Sequence, residues 1–204
     1  MPAKPITAPG PGPVPRRAAG VSLVPLLLAL VLATPGAVPA QGLGQELVAA
    51  AAVGQVDEVR RLLLQGGAVD AANPAGRTPL MAAAYFGNRE VTRLLLAHGA
   101  DPDTQDQRGR GAVIAAAANG REEVLRDLLS AGADPGLADN RGRTPLMEAA
   151  ANGHTPVVTL LIERGADVEA TDQAERSALQ EAQEAGHTAV ADALKQAGAT
   201  APAQ

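Results

Sequence analysis

Few side chains in this sequence have the chemistry that catalysis or metal binding requires. The 204 residues include three His, three Ser and no Cys, which excludes disulfides, thiolate catalysis and Cys-ligated metal sites. His154 and His187 each directly follow a Gly, but two imidazoles without a third ligand make a poor zinc site. Because no nucleophile, base and metal ligand recur together, the sequence predicts no catalytic residues, no metal and no cofactor.

A group of aspartates is the second candidate for chemistry. Asp101, Asp103 and Asp106 stand close together, as the carboxylate ligands of a calcium loop do. The twelve-residue spacing and the closing Glu of such a loop are missing. Asp106 also recurs at a constant interval, first as Asp139 and then as Asp172. The recurrence favours a structural role, in which each Asp hydrogen-bonds the backbone of its own turn.

The same interval, which is 33 residues long, recurs through most of the chain. We call a set of positions separated by this interval a column. Three columns keep one residue type through five successive units: Gly54, Gly87, Gly120, Gly153 and Gly186; Gly66, Gly99, Gly132, Gly165 and Gly198; and Leu62, Leu95, Leu128, Leu161 and Leu194. A single unit cannot bury its apolar face, whereas stacked units bury a continuous core. The sequence therefore predicts a repeat protein.

Each unit has the pattern of two short helices followed by a turn. Thr78 and Thr144 are hydroxyl N-caps followed by Pro at the first helical position, and the Ala-rich helix after each of them ends at a Gly. In the second helix, Val91 and Leu95 lie on one face because they are four residues apart. Small Ala side chains and an aromatic content of only 1% indicate closely packed helices.

With this period and these motifs, the sequence resembles the ankyrin repeat family. The motifs are Thr-Pro-Leu-Met-Ala-Ala at 78–83, Thr-Pro-Leu-Met-Glu-Ala at 144–149 and Gly-Ala-Asp at 99–101, 132–134 and 165–167. The resemblance implies an all-α ankyrin repeat solenoid, in which helix-turn-helix units of about 33 residues are joined by β-hairpin-like turns. It divides an ankyrin repeat domain at 41–204 into an N-cap at 44–76, repeats at 77–109, 110–142 and 143–175, and a C-cap at 176–199.

Several positions depart from the family pattern. The signature His is replaced in four units, by Met81, Ile114, Met147 and Gln180. The resemblance therefore implies the loss of some hydrogen bonds between neighbouring turns. The unit that starts at Arg110 lacks Thr-Pro, so we expect a looser helix start there, and Glu175 stands where the pattern has Gly. The resemblance also implies that His154 and His187 stabilise turns.

Residues 1–40 differ in composition from the repeats and have the order of a secretory signal peptide. An Arg pair at 16–17 precedes an apolar run at 21–32, and small residues with Pro follow at 34–40. We predict cleavage after Ala40 and a bacterial protein that is periplasmic or secreted. The apolar run is short and contains a Pro, which disfavours an uncleaved inner-membrane anchor. A twin-arginine export signal is the other alternative.

The resemblance implies that the chain binds a partner protein and is not an enzyme. Partners of the family dock on the tips of the turns and on the concave face formed by the first helices. At the matching positions, the predicted partner-binding residues are Arg77, Tyr85, Phe86, Arg108, Arg110, Asn119, Arg141, Arg143, Asn152 and Arg176. The net charge of -5 argues against nucleic acid and anionic membranes as partners, and we expect a monomer.

Two features of this set predict what the partner offers. Four of the residues form an arginine column: Arg77, Arg110, Arg143 and Arg176. Arg binds carboxylates well, although a basic residue at this position also serves to solvate the turn. Tyr85 and Phe86 are the only aromatic residues of the chain, and they either contact the partner or pack against the next repeat. Together the two features predict a partner with an acidic stripe and an apolar notch.

These observations predict a non-catalytic interaction module that is exported from the cytoplasm and binds or protects a partner protein. Two alternatives stay open at this point. One is a secreted effector that captures a host protein, and the other is a scaffold anchored in the inner membrane.

Overall fold

The structure is a computed structural model that describes residues 40–200. The predicted signal peptide lies outside the described residues, apart from Ala40, which is the first residue of the first helix. None of the helices described is long and apolar enough to cross a membrane.

The described residues form ten α-helices and no β-strand. In chain order these are α1 (Ala40–Val53), α2 (Val56–Leu64), α3 (Pro79–Phe86), α4 (Arg89–Ala97), α5 (Ala112–Ala118), α6 (Glu122–Ser130), α7 (Pro145–Ala151), α8 (Thr155–Glu163), α9 (Ala178–Glu184) and α10 (Thr188–Gln196). The odd-numbered helices pack side by side in chain order, and each even-numbered helix packs on the odd-numbered helix before it. The result is five stacked two-helix units, which confirms the predicted all-α solenoid.

Hydroxyl caps begin the first helix of several units, as the sequence predicts. Thr78 accepts a hydrogen bond from the backbone N–H three residues later at 3.3 Å, and Thr144 makes the same bond. Losing such a cap costs about 1 kcal/mol. The helix α5 follows Gly111, which has no side chain to make this bond, and the looser start expected for this unit stays a prediction.

A hairpin-like turn leads into each first helix from α3 onward. In the turn before α5, one carboxylate oxygen of Asp106 accepts hydrogen bonds from the backbone N–H groups of Arg108 and Arg110, at 2.8 and 2.9 Å. Asp139 and Asp172 make the same pair of bonds in their own turns. The prediction that this Asp column stabilises the turns is confirmed.

A polar side chain after each first helix from α3 onward ties neighbouring units together. Nε2 of His154 donates a hydrogen bond to the backbone oxygen of Ala118 at 3.2 Å, and His187 contacts the unit before it in the same way. Asn88 and Arg121 stand in the same column and also donate to the first helix of the preceding unit. The structural role expected of the two histidines is confirmed, and two residues of other types share it.

Amide side chains also join successive turns. The side-chain amide of Gln107 donates to the backbone oxygen of Pro74 at 2.8 Å. Asn140 donates to the backbone oxygen of Gln107 at 3.1 Å, and Gln173 donates to that of Asn140 at 2.9 Å. Although the signature His is replaced, the turns are therefore linked by side chains of a different column.

The core lies between the two helical layers and consists mainly of Leu, Val and Ala. All five leucines of the column that contains Leu62 are fully buried. A buried Leu contributes roughly 1.5–3 kcal/mol relative to an exposed one. Ala83, Ala116 and Ala149 are also fully buried, and their small side chains let successive first helices approach closely.

The N-terminal unit differs from its predicted boundaries. Its first helix begins at Ala40, before the predicted start of the N-cap at residue 44. Gly44 is the member of the arginine column in this unit, and it lies inside the helix. A Cβ atom at this position would lie 2.8 Å from the Cβ of Ala71, so a side chain there would push the following segment away.

Candidate protein-binding surface

The predicted partner-binding residues lie on the first helices, at their C-terminal ends and on the turns that precede them. We call this surface the inner face. Its N-terminal half comprises α1, α3 and α5, and its C-terminal half comprises α7 and α9, each with the preceding turns. The N-terminal half carries Arg77, Tyr85, Phe86, Arg108, Arg110 and Asn119, and the C-terminal half carries Arg141, Arg143, Asn152 and Arg176.

A groove of about 350 Å³ runs along the N-terminal half. Its apolar wall includes Val48, Ala52, Met81, Ala82 and Ala115. Four of the predicted residues line the same groove, namely Arg77, Tyr85, Phe86 and Arg110. A concave, mostly apolar site with a few charged groups is typical of binding pockets. The structure thus brings the basic and aromatic features of the sequence into one place, which we call the N-terminal groove.

Tyr85 and Phe86, at the end of α3, present their rings to solvent. The two residues are 45% and 53% exposed, and their ring centroids lie 5.0 Å apart in an edge-to-face arrangement. Val53, at the end of α1, stands in the column of Phe86 and is also exposed. This exposure argues against the alternative in which the rings fill the space between repeats.

Two arginines of the C-terminal half, Arg143 and Arg176, form ion pairs within the protein. The side chain of Arg143 is only 14% exposed, and its guanidinium lies 2.6 Å from the carboxylates of both Glu148 and Glu181. Asp172 lies 3.6 Å from the same guanidinium. Arg176 shares two of these carboxylates, at 3.0 Å from Glu181 and 3.3 Å from Asp172. Two of the four members of the arginine column are therefore engaged in an internal charged cluster, and their contact with a partner stays a prediction.

The arginines of the N-terminal half have few such contacts. The side chain of Arg77 is 56% exposed and lies 3.8 Å from one carboxylate oxygen of Asp106, close to the outer limit of an ion pair. Within residues 40–200, no carboxylate lies within 4.0 Å of the guanidinium of Arg110. Both guanidinium groups line the N-terminal groove.

A neighbouring column explains the difference between the two halves. Its members are Ala82, Ala115, Glu148 and Glu181, one on each first helix from α3 to α9. The two Glu side chains reach the arginines beside them, whereas the two Ala side chains carry no charge. The prediction from the sequence treats the four arginines alike because it does not consider this column, although the repeat period is sufficient to find it.

Two groups of the charged cluster, Arg143 and Asp172, have pKa values shifted in the direction that favours their charged forms. Burial by itself would lower the pKa of Arg143, but hydrogen bonds with Glu148 and Glu181 outweigh burial and raise that pKa above its ordinary value. Burial would likewise raise the pKa of Asp172, but the backbone N–H groups of its own turn and the guanidinium of Arg176 together outweigh that effect and lower the pKa. The cluster therefore satisfies its own charges at neutral pH.

The tips of two turns carry the remaining predicted arginines, Arg108 and Arg141, both of which are exposed. The backbone oxygen of Arg108 accepts a hydrogen bond from the N–H of Asn140 at 3.0 Å. That of Arg141 accepts one from the N–H of Gln173 at 2.9 Å. The backbone of each tip is thus tied to the next turn, and contact of the side chains with a partner stays a prediction.

The predicted contact residues Asn119 and Asn152 close the ends of their own helices. The side-chain amide of Asn119 donates to the backbone oxygen of Ala115 at 2.9 Å, and that of Asn152 donates to the backbone oxygen of Glu148 at 2.8 Å. Each satisfies a carbonyl group in the last turn of a helix. The structure gives both residues a capping role, and their contact with a partner stays a prediction.

The described part of the chain contains no cluster of three His, Asp or Glu side chains that could hold a metal ion. The third histidine, His98, has its Nδ1 atom 2.8 Å from the backbone oxygen of Leu94 in its own helix. Every buried side-chain nitrogen and oxygen among these residues has a hydrogen-bond partner.

Five stacked two-helix units with an exposed groove on one face define a helical repeat protein. The family model described as Ankyrin repeats (3 copies) matches residues 23–106, 47–139 and 113–204. The chain belongs to the ankyrin repeat family, which confirms the resemblance seen in the sequence. Ankyrin repeats imply a protein–protein interaction module, and no catalytic family matches the chain. A comparison with curated proteins finds no match.

Proposed function

We propose that this protein is exported from the cytoplasm and binds a partner protein, without catalysis, through the N-terminal groove and the turns beside it. The observation that carries the proposal is the groove, in which two exposed aromatic rings and two arginines line one apolar cavity. Aromatic residues and Arg are enriched at the energetic centres of protein interfaces. The module holds or protects its partner in the periplasm or outside the cell.

The exposed rings account for much of the expected affinity. A fully covered Phe or Tyr side chain buries about 150–250 Å², so the half-exposed Tyr85 and Phe86 each have roughly 100 Å² left to bury. At about 25 cal/mol per Å², each ring contributes on the order of 2 kcal/mol. Removing both rings is then expected to weaken binding by at least about 100-fold.

Affinity capture with the full chain tests the binding surface. The double variant Tyr85→Ala with Phe86→Ala is compared with Leu64→Ala, which removes an exposed apolar side chain from α2, outside the groove. We expect the protein that the unaltered chain captures from an extract of exported proteins to be lost with the double variant and kept with Leu64→Ala. Capture that is unaffected by the double variant excludes the groove as the binding site.

The export part of the proposal rests on the signal pattern and has its own test. N-terminal sequencing of the protein from the periplasm or the medium is expected to begin at Gln41. Replacing Arg16 and Arg17 by Glu removes the positive flank and is expected to leave the uncleaved chain in the cytoplasm. An uncleaved chain in the inner-membrane fraction would instead support the anchored scaffold, and delivery of the cleaved protein into a host cell would support the effector.

A further inference from the structure

The C-terminal half of the inner face shows how this fold binds a carboxylate. One oxygen of Glu181 lies 2.6 Å from the guanidinium of Arg143 and 3.0 Å from that of Arg176. The carboxylate therefore bridges two successive members of the arginine column. Hydrogen bonds of this type are strong because donor and acceptor are both charged, and burial of the Glu181 side chain reduces their screening by water.

The N-terminal half contains the same pair of arginines without the carboxylate. The corresponding residues, two units earlier in the chain, are Arg77, Arg110 and Ala115. All three line the N-terminal groove. A methyl group thus stands where the later unit has a carboxylate, and the two guanidinium groups border the groove beside it.

The aspartate near each of these arginines does not supply the missing charge. Asp106 lies 3.8 Å from Arg77, and Asp172 lies 3.6 Å from Arg143. Because this contact is present in both halves, it does not distinguish them. The contacts of Arg143 with Glu148 and Glu181, and of Arg176 with Asp172, have no counterpart at Arg77 and Arg110 in the described part of the chain. The N-terminal groove has an excess of positive charge beside an apolar wall, which is complementary to an acidic segment with an apolar residue.

We propose that the N-terminal groove binds an acidic side chain of the partner protein between Arg77 and Arg110, an inference that rests on the function proposed above. The partner's Asp or Glu takes the position that Glu181 has between its two arginines in the C-terminal half. An apolar side chain of the same partner segment packs against Tyr85 and Phe86.

The position of the aromatic rings sets the spacing of the two partner residues. The acid between Arg77 and Arg110 lies at the level of the column that contains Ala82 and Ala115. Along α3, the rings of Tyr85 and Phe86 follow Ala82 in this column by about one helical turn, or roughly 5 Å. Residues i and i+2 of an extended segment lie about 6.6 Å apart on one face, and residues i and i+4 of a helix lie roughly 6 Å apart. The partner segment therefore carries its acidic and apolar residues at one of these two spacings.

Selection of peptides on the full chain tests this proposal. A display library of random 12-residue peptides, each followed by a linker, is selected on the unaltered protein with excess Ala115→Glu protein as competitor. We expect the enriched peptides to contain Asp or Glu at the stated spacing from a large apolar residue. In amidated synthetic peptides, replacing that acid by its amide is expected to weaken binding at least about tenfold, measured by fluorescence anisotropy.

The variant Ala115→Glu is chosen because the chain itself has Glu at this column in two later units. The new carboxylate is expected to bind Arg77 and Arg110 and to weaken the selected peptides at least about tenfold. In this variant, replacing the peptide's acid by its amide is expected to change the affinity less than about threefold, since the two substitutions act on one interaction.

The matched control is Ala151→Glu, which adds the same charge to α7, outside the N-terminal groove. The chain has Glu184 at this column in the next unit, so the fold accommodates the residue. We expect it to change peptide affinity less than about twofold, because exposed charges at a distance are screened by salt. Circular dichroism of both variants confirms that each is folded.

Three outcomes would overturn the proposal. They are enriched peptides without an acidic residue, equal weakening by Ala115→Glu and Ala151→Glu, and the absence of any peptide that prefers the unaltered protein. The capture experiment tests the proposed function separately from this inference. If the captured partner is lost with the double variant at Tyr85 and Phe86 but kept with Ala115→Glu, the groove is the binding site and only the acidic contact is wrong.

Discussion

Arg143 in the C-terminal half lies within 4 Å of three carboxylates, whereas Arg110 in the N-terminal half lies within 4 Å of none in the described part of the chain. Both belong to one column and follow the same kind of turn. Two of the three carboxylates belong to the neighbouring column, which has Ala115 in the unit of Arg110 and Glu148 in the unit of Arg143. Glu148 also follows Arg110 by one unit, but it binds Arg143 and lies more than 4.0 Å from the guanidinium of Arg110. At this column, Glu in the C-terminal half contributes to a cluster whose charges are paired within the protein. Ala in the N-terminal half leaves an open groove.

The comparison shows how a repeat protein keeps binding and stability apart. Each unit contacts only its neighbours, so polar contacts in one half place little constraint on the other. The C-terminal half uses Arg143 and Arg176 for internal ion pairs that water only partly reaches. The N-terminal half leaves the same residue type beside an apolar groove, where a partner can supply the opposite charge.

The largest effect on stability is expected at Arg143. Arg143→Ala leaves the partly buried carboxylates of Glu148 and Glu181 without their shared cation, and we expect the free energy of unfolding to fall by about 2–3 kcal/mol. The same change at Arg110 is expected to cost less than about 0.5 kcal/mol. Urea unfolding measures both variants, and equal losses would contradict the division of the inner face.

A second effect concerns the pH dependence of the charged cluster. Burial raises the pKa of Asp172, but the backbone N–H groups of its turn and the Arg176 guanidinium together hold that pKa below its ordinary value, which is near 4. Its carboxylate therefore stabilises the fold above that ordinary value, and the contribution is lost as the pH falls through the lowered pKa. Asp172→Asn is expected to cost on the order of 1 kcal/mol at pH 7 and to flatten the loss of stability in acid below about pH 4.

Urea unfolding at a series of pH values measures this effect. Asp192→Asn is the control, because Asp192 is an exposed residue of α10, and it is expected to change stability at pH 7 by less than about 0.5 kcal/mol. An acid loss as steep in Asp172→Asn as in the unaltered protein would show that this carboxylate has no part in it.

A smaller effect is expected in the turn before α9, where a residue with a Cβ adopts the backbone conformation that Gly has in the earlier turns. Glu175 has a φ of 60°, in the left-handed region, and the corresponding residues of the earlier turns are Gly76, Gly109 and Gly142. This conformation costs a residue with a Cβ about 1 kcal/mol. Glu175→Gly is therefore expected to raise the free energy of unfolding by up to about 1 kcal/mol. Thermal unfolding checks the change, and a lower midpoint for Glu175→Gly would refute it.

The smallest effect on stability is expected when Ala115 in the N-terminal half is replaced by Glu, the residue at this column in the C-terminal half. Ala115→Glu supplies a partner for Arg77 and Arg110, but the side chain of Arg77 is 56% exposed, so the gain is expected to be only about 0.5 kcal/mol. Ala151→Glu is expected to give no gain. If urea unfolding instead shows that Ala115→Glu is less stable than the unaltered protein, the groove does not accommodate Glu at this column.

Much of the fold could be predicted because its determinants are local or periodic. Thr78 caps a helix and Asp106 holds a turn through bonds to residues at most four positions away. Such interactions depend on residue type and spacing alone. The helix α1 is an exception, because the close contact of Gly44 with Ala71 joins separate segments and is not visible in any motif.

The candidate site could be predicted only in part. Its residue types were evident from the columns. Whether each side chain can contact a partner depends on neighbours that are distant in the chain. Asn119 has the position of a contact residue, yet its amide is used by its own helix. Tyr85 and Phe86 are exposed because the following unit leaves their rings uncovered, which no local pattern states.

The period, the helix ends and the chemistry of the turns can be read from the amino-acid order, since each of them acts over a few residues and is then repeated. The amino-acid order does not show in the same way which arginines form ion pairs within the protein and which line the open groove. The Arg143 and Glu181 side chains are 38 residues apart in the chain, and their charges meet only when successive units stack. Stacking therefore makes one residue type part of an ion pair in one half and part of an open groove in the other.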